Sequence, residues 1–213
     1  MPTSFVCRRT TYALVLLGLL LLSTSTWGQA PPDTFKVDYY SNNVTGAPDG
    51  EVRFINPGNI ASTSPAGDLC AAIYVFDDRE EMQECCSCKL TPDQRLIVDV
   101  KVNLTSNTLT SIVPAKGAIK VISSTPVSGV CDPRAVTPTP TLREWHTHIQ
   151  FPIGATTYSI TETESSDTPL GADELTALQQ FCEFGIVLGS GRGVCSCVFP
   201  PPVAPLNGKG TRD

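Results

Sequence analysis

Cys85 and Cys86 are neighbours, Cys88 follows them, and a second group, Cys182, Cys195 and Cys197, lies far downstream. Adjacent cysteines are too close and too badly directed to bridge each other without strain, so each needs a separate partner. Nine cysteines are present in all. One of them, Cys7, falls in a segment that reads as an export leader: Arg8 and Arg9 precede the apolar run 13 to 22, and Gly28 and Ala30 are the small residues of a cleavage site. That run is about half the length a bilayer-spanning helix needs. Residues 1 to 30 are therefore set apart as a signal peptide. Cys70, Cys85, Cys86, Cys88, Cys131, Cys182, Cys195 and Cys197 remain, an even set in a chain bound for an oxidising compartment, which predicts disulfides. Spacing alone leaves many pairings open. The simplest links the group at 85 to 88 with the group at 182 to 197. Thiolate metal binding and redox catalysis are weaker readings, because the spacing matches no zinc finger and no CxxC opens a helix.

Between the cysteines, short runs of strand composition alternate with turn signals. Residues 35 to 40, 51 to 56, 70 to 77, 95 to 104, 117 to 124, 143 to 151 and 156 to 162 are expected strands, separated by stretches such as GAPDG, NPGN and TPDQ. No helical crossovers separate them, so the expected architecture is mainly β, a disulfide-stapled antiparallel sandwich of about seven strands. In 95 to 104, Leu96, Val98, Val100 and Val102 are expected on one face. One helix is predicted over 172 to 188, where Leu175, Leu178, Cys182 and Ile186 form a stripe and Asp173 and Glu174 sit in the first turn. A bridge from Cys182 would dock it on the sheet. A second helical turn is expected near 78 to 84. The sequence thus divides into a leader (1–30), one β-rich domain (31–199) and a proline-rich tail (200–213).

Without the leader, 13 Lys and Arg face 21 acids, a net charge of −8. That balance disfavours a nucleic-acid partner, which needs a clustered basic surface. No segment after the leader is apolar enough to anchor the chain in a membrane.

The sharpest candidate site is EWHTHIQ at 144 to 150. Strand alternation places Glu144, His146, His148 and Gln150 on one face and Trp145, Thr147 and Ile149 on the other. Two imidazoles two residues apart can hold copper or zinc, with Glu144 as a third ligand. The plainer reading is the polar face of a half-buried strand. Glu162 and Glu164 share a strand face but fit a solvated strand end better than a glycosidase pair. The acids at 77 to 84 lack the pattern of a calcium loop. Asn43 and Asn103 head glycosylation sequons. Tyr39 and Tyr40 are aromatic candidates for a binding surface, with core packing the equal alternative.

The segments 69 to 94, LREWHTHIQ at 142 to 150 and 174 to 197 resemble those of small exported cysteine-rich proteins of acidobacterial type. The resemblance implies a bacterial, exported protein and carries no activity, cofactor or site residue. From the residues themselves, the expected function is a secreted or periplasmic protein without enzymatic activity, structural, adhesive or binding. Its expected partners are a second copy or an extracellular surface or polysaccharide. Metal binding through the HxH strand is the first alternative, and a secreted hydrolase with a site assembled from separate loops is the second.

Overall fold

The run from Leu69 to Phe76 is apolar without alternation, which is what a strand covered on both faces requires. In the computed structural model, which describes residues 32–41, 46–58, 67–152 and 157–197, every residue of that run is buried. The elements in chain order are β1 (Phe35–Ser41), β2 (Glu51–Ile55), β3 (Leu69–Asp77), β4 (Met82–Leu90), β5 (Arg95–Asp99), β6 (Lys116–Thr125), β7 (Thr137–Pro138), β8 (Arg143–Pro152), β9 (Tyr158–Glu164), β10 (Ser166–Asp167) and the helix α1 (Ala172–Leu188). One sheet runs β10-β1-β6-β3-β4, with β7 paired to β6, and the other runs β5-β2-β8-β9. All the strand pairs are antiparallel, so the expected sandwich with one docked C-terminal helix is the observed fold.

The layers follow from which side chains alternate inward. Val52 and Phe54 of β2 and Leu96 and Val98 of β5 meet Ala71, Ile73 and Val75 of β3 in the core between the sheets. On the other side of the first sheet, Ala72, Tyr74 and Phe76 pack with Cys182 and Leu178 of α1. The first sheet is therefore a middle layer between helix and second sheet. The outer face of the second sheet has no such cover among the described residues.

Four disulfides fasten this arrangement: Cys70–Cys131, Cys85–Cys182, Cys86–Cys195 and Cys88–Cys197. Three of them join the two groups the sequence set against each other. The vicinal pair works because β4 alternates. Cys85 joins the helix-side cluster, while Cys86 and Cys88 join the core between the sheets. After α1 the chain turns at Ser190 and Gly191, both at positive φ, and runs back along β4, where Cys85 N–H donates to Gly193 O at 2.9 Å.

Two expectations need correction. Residues 82 to 90 form β4 and not a helical turn, and the β3–β4 turn is instead closed by Asp77, whose Oδ1 accepts from the N–H groups of Arg79 and Glu81. The expected strand 95 to 104 stops at Asp99, and Val100–Leu104 is a π-helical turn that leaves Val102 exposed. Side chains capture the backbone there: Asp99 N–H donates to Asn103 Oδ1 and Lys101 N–H to Asp49 Oδ2, both at 2.8 Å. Asn103, which heads the second sequon, is buried, with its Oδ1 taken by that bond. The leader, Asn43 and the 200–213 tail lie outside the described residues. Among those described, no helix is long and apolar enough to cross a membrane.

Gly117 sits opposite Asp77 where β6 meets the end of β3. A Cβ there would overlap the Phe76 carbonyl oxygen and come within 2.9 Å of Asp77 Cα, so backbone has to move. Gly117→Ala is expected to cost about 2 kcal/mol in urea unfolding, as overpacking of a tight site does. An unchanged midpoint would mean that the two strands part more easily than this register implies.

Candidate functional site

β8 is the strand on which the polar face points inward. Cross-strand partners share a face, and His146 stands opposite Val52 while Glu144 stands opposite Phe54, both core residues. The predicted alternation is therefore present, but Glu144, His146 and His148 are buried, not solvated. His146 Nε2 meets Glu144 Oε1 at 2.8 Å, and Ser165 Oγ donates to the same oxygen at 3.1 Å. The other ring nitrogen, Nδ1, faces Asp38 Oδ2 across 3.9 Å, and His148 Nε2 faces that oxygen across 3.7 Å. His148 Nε2 also lies 3.0 Å from Thr163 Oγ1. Burial lowers the pKa of His148 against the opposing pull of Asp38, and the neighbouring His146 lowers it further.

Carboxylate and imidazole thus alternate in a chain, Glu144, His146, Asp38, His148. Asp38, which comes from β1 in the facing sheet, is a member that the sequence reading did not nominate, because only the fold brings that strand across. The donors do not converge as a closed shell: among the described residues, the group of three or more His, Cys, Asp or Glu donors lying mutually within 4.8 Å is Cys86, Cys88 and Cys197, all in disulfides. Nor is the order that of a serine hydrolase. Ser165 bonds to the carboxylate and not to the imidazole that would take its proton.

Of the two tyrosines, Tyr40 is a core residue whose hydroxyl donates to Phe76 O at 3.0 Å, the packing alternative to a binding role. Tyr39 is exposed and stacks on His148 with ring centroids 4.3 Å apart.

Turning the histidines inward turns the rest of β8 outward, onto the uncovered face of the second sheet. Register aligns these side chains in rows. Arg95, Ile55 and Arg143 form one row; Ile97, Arg53, Trp145 and Glu164 form the next; Asp99 and Glu51 lie in a third, with Thr147 opposite Glu162. Arg53 donates to Glu162 Oε1 at 2.8 Å and to Glu51 Oε2 at 2.7 Å. Arg143 pairs with Glu164 and places its guanidinium carbon 5.8 Å from the centre of the Trp145 ring. Glu162 and Glu164 thus each hold an arginine. Arg95 is exposed and has no ion-pair partner among the described residues. Arg53, Ile55, Arg95, Trp145 and Glu162 line a shallow concavity of about 420 Å³.

A second, more apolar groove of about 380 Å³ lies between β4 and α1, with Met82, Leu109, Phe181 and Phe184 on its walls. Phe181, Phe184, Val187 and Leu188 are the exposed apolar residues of the helix.

No family model matches the chain, and no curated protein matches it. Among solved structures it is similar to the crystal structure of Thermotoga maritima 1070, with 11% identity and a TM-score of 0.39 over 64% of this chain and 94% of that one.

Proposed function

We propose that the chain is an exported binding protein of the cell exterior, without enzymatic activity, which adheres to its ligand through the open face of the second sheet. The observation that carries this reading is the asymmetry of the sandwich. α1 closes one outer face, while the other presents a half-exposed tryptophan among arginines and carboxylates aligned by register. Such a surface needs rigidity, because a site fixed before binding loses less entropy on binding. The disulfides supply it, and together with the leader-like first thirty residues they support export to an oxidising compartment.

The test is retention of the purified exported protein on insoluble envelope and matrix material from the cells that make it. Saturable retention is expected, and it should fall in the Trp145→Ala, Arg53→Gln double variant. Retention that is absent, or indifferent to those substitutions, would contradict the proposal.

A second reading, metal binding by His146, His148 and Asp38, draws on the gaps of 3.7 and 3.9 Å between Asp38 Oδ2 and the imidazoles. These are too long for hydrogen bonds and open enough for an ion to draw the groups together. Glu144 on Nε2 of His146 would then orient the ring, as carboxylates behind metal-bound histidines do. Native mass after exposure to copper or zinc checks it: one ion, retained until chelation and lost in His148→Ala, supports this reading, and an unchanged mass removes it.

A further inference from the structure

We infer that the ligand of the open sheet face is an acidic polysaccharide, one whose sugar rings carry carboxylates, such as a uronic-acid chain. This inference rests on the binding reading above and names the chemistry of its partner.

Three features of the face converge on that class. Trp145 is half exposed beside Ile55, an aromatic and aliphatic floor suited to the C–H face of a pyranose ring. Arg53 and Glu162 are locked together at 2.8 Å in the same concavity, so a donor fork and an acceptor stand side by side. A pair of vicinal hydroxyls, each both donor and acceptor, can use the two groups at once. Arg95 is the cation whose charge no neighbouring carboxylate among the described residues takes up. A planar guanidinium in that condition matches a carboxylate, which it can hold through two parallel N–H···O bonds.

The carboxylates on the same face set the other limit. Glu51, Asp99, Glu162 and Glu164 all belong to these rows. They would repel a densely anionic ligand such as a nucleic acid or a run of acidic residues. A ligand with many hydroxyls and a carboxylate at intervals meets donors, acceptors and, among the described residues, one free cation in the proportion the face offers. Spacing agrees. Arg95 on β5 and Trp145 on β8 are separated by two inter-strand steps and one row along the strands, about 12 Å, a length that a short oligosaccharide spans. Among the described residues the concavity is shallow and not enclosed, which suits a polymer passing across it more than a small molecule held in a pocket.

The test uses oligogalacturonate and its fully methyl-esterified counterpart, which keep the same sugar backbone and differ in charge. Binding to the exported protein is measured by calorimetry, and by fluorescence, since Trp145 is the tryptophan beyond the leader-like segment that carries Trp27. The wild-type protein is expected to bind the acid form about tenfold more tightly than the ester, the scale of one charge-assisted contact. Salt at 0.5 M should erode the preference, because the Arg95 charge is exposed. Arg95→Gln changes an exposed side chain without an ion-pair partner among the described residues and should leave the fold intact; it should abolish the preference for the acid form. Trp145→Ala, checked for an unchanged circular dichroism spectrum, should lose both ligands.

Equal binding of acid and ester, a preference that survives Arg95→Gln, or no binding of either sugar would overturn the inference. Envelope retention that still depends on Trp145 and Arg53 in such a case would leave the binding reading standing with a ligand of another class. Loss of both would remove the two together.

Discussion

Replacing all six cysteines of the Cys85–Cys182, Cys86–Cys195 and Cys88–Cys197 bridges by alanine is expected to leave a chain that does not fold at 25 °C, while removal of any one bridge is survivable. The three bridges join the same two segments, with separations of 97, 109 and 109 residues. A first bridge closing a loop of about a hundred residues contributes about 4.7 kcal/mol in the chain-entropy model. Once one is closed, the others need only close the short ring between neighbouring bridges. The ring between Cys85–Cys182 and Cys86–Cys195 holds about 15 residues and adds roughly 3 kcal/mol, while the ring between Cys86–Cys195 and Cys88–Cys197 holds about four and adds about 2 kcal/mol. The Cys86→Ala, Cys195→Ala variant should therefore lose about 2 kcal/mol, and the losses of successive bridges should grow instead of adding evenly. The full deletion approaches or exceeds the 5 to 15 kcal/mol that domains commonly have (roughly, by the same bookkeeping). Guanidinium unfolding of the oxidised variants reads this directly. Equal, independent losses from each bridge would show that the unfolded chain does not treat them as one cluster.

The second large effect concerns a group outside the proposed binding face. Glu84 stands opposite Val75 on the inner side of β4 and is 1% exposed. Its Oε1 accepts the Asn107 N–H at 2.7 Å, but Oε2 is buried with no partner among the described residues. Burial raises its pKa to about 7, against the lowering effect of the Asn107 bond. An acid whose folded pKa is raised keeps its proton in the native state when the unfolded chain has already released one. Stability is then full below the unfolded pKa and is lost as pH climbs from about 4.5 to about 7. Glu84→Gln keeps the acceptor for Asn107 and removes the titration. The variant should be more stable than wild type at pH 8 by about 2 to 3 kcal/mol, and the advantage should vanish near pH 4. His148, whose pKa burial lowers, acts in the opposite sense and destabilises both proteins as pH falls below its unfolded value. The difference between the two proteins isolates Glu84. An advantage independent of pH would mean that the carboxyl is ionised in the folded core.

Parts of this fold are written locally and parts are not. The helix at 172–188 was legible because its stripe and its acidic first turn lie within one segment, and the cysteine cross-link because vicinal cysteines have so few ways out. β4 was hidden. It is buried on both faces, with Gln83, Glu84 and three cysteines where a half-buried strand shows alternating apolar residues, so no period of two survives. β8 misled in the opposite way, because alternation marks two faces without saying which one is inside. Glu144 and His146 are inward because Asp38 of β1 and Ser165, between β9 and β10, receive them there, and both lie far from β8 in the chain's local pattern. For the same reason the open face was invisible. Trp145, Arg53 and Arg95 become neighbours only through the order β5-β2-β8, which joins segments far apart in the chain. The one local signal was that Trp145, Thr147 and Ile149 share the face opposite the histidines.

Ligand binding is proposed for the open face of the second sheet. The decisive measurement is amide shift mapping of the labelled protein, titrated with solubilised polysaccharide from the cells that make it. Perturbed amides are expected to cluster on β2, β5 and β8 around Arg53, Arg95 and Trp145, with α1 unaffected. Shifts gathered at Phe181 and Phe184 in the groove beside the helix, or none on either surface, would contradict the proposal.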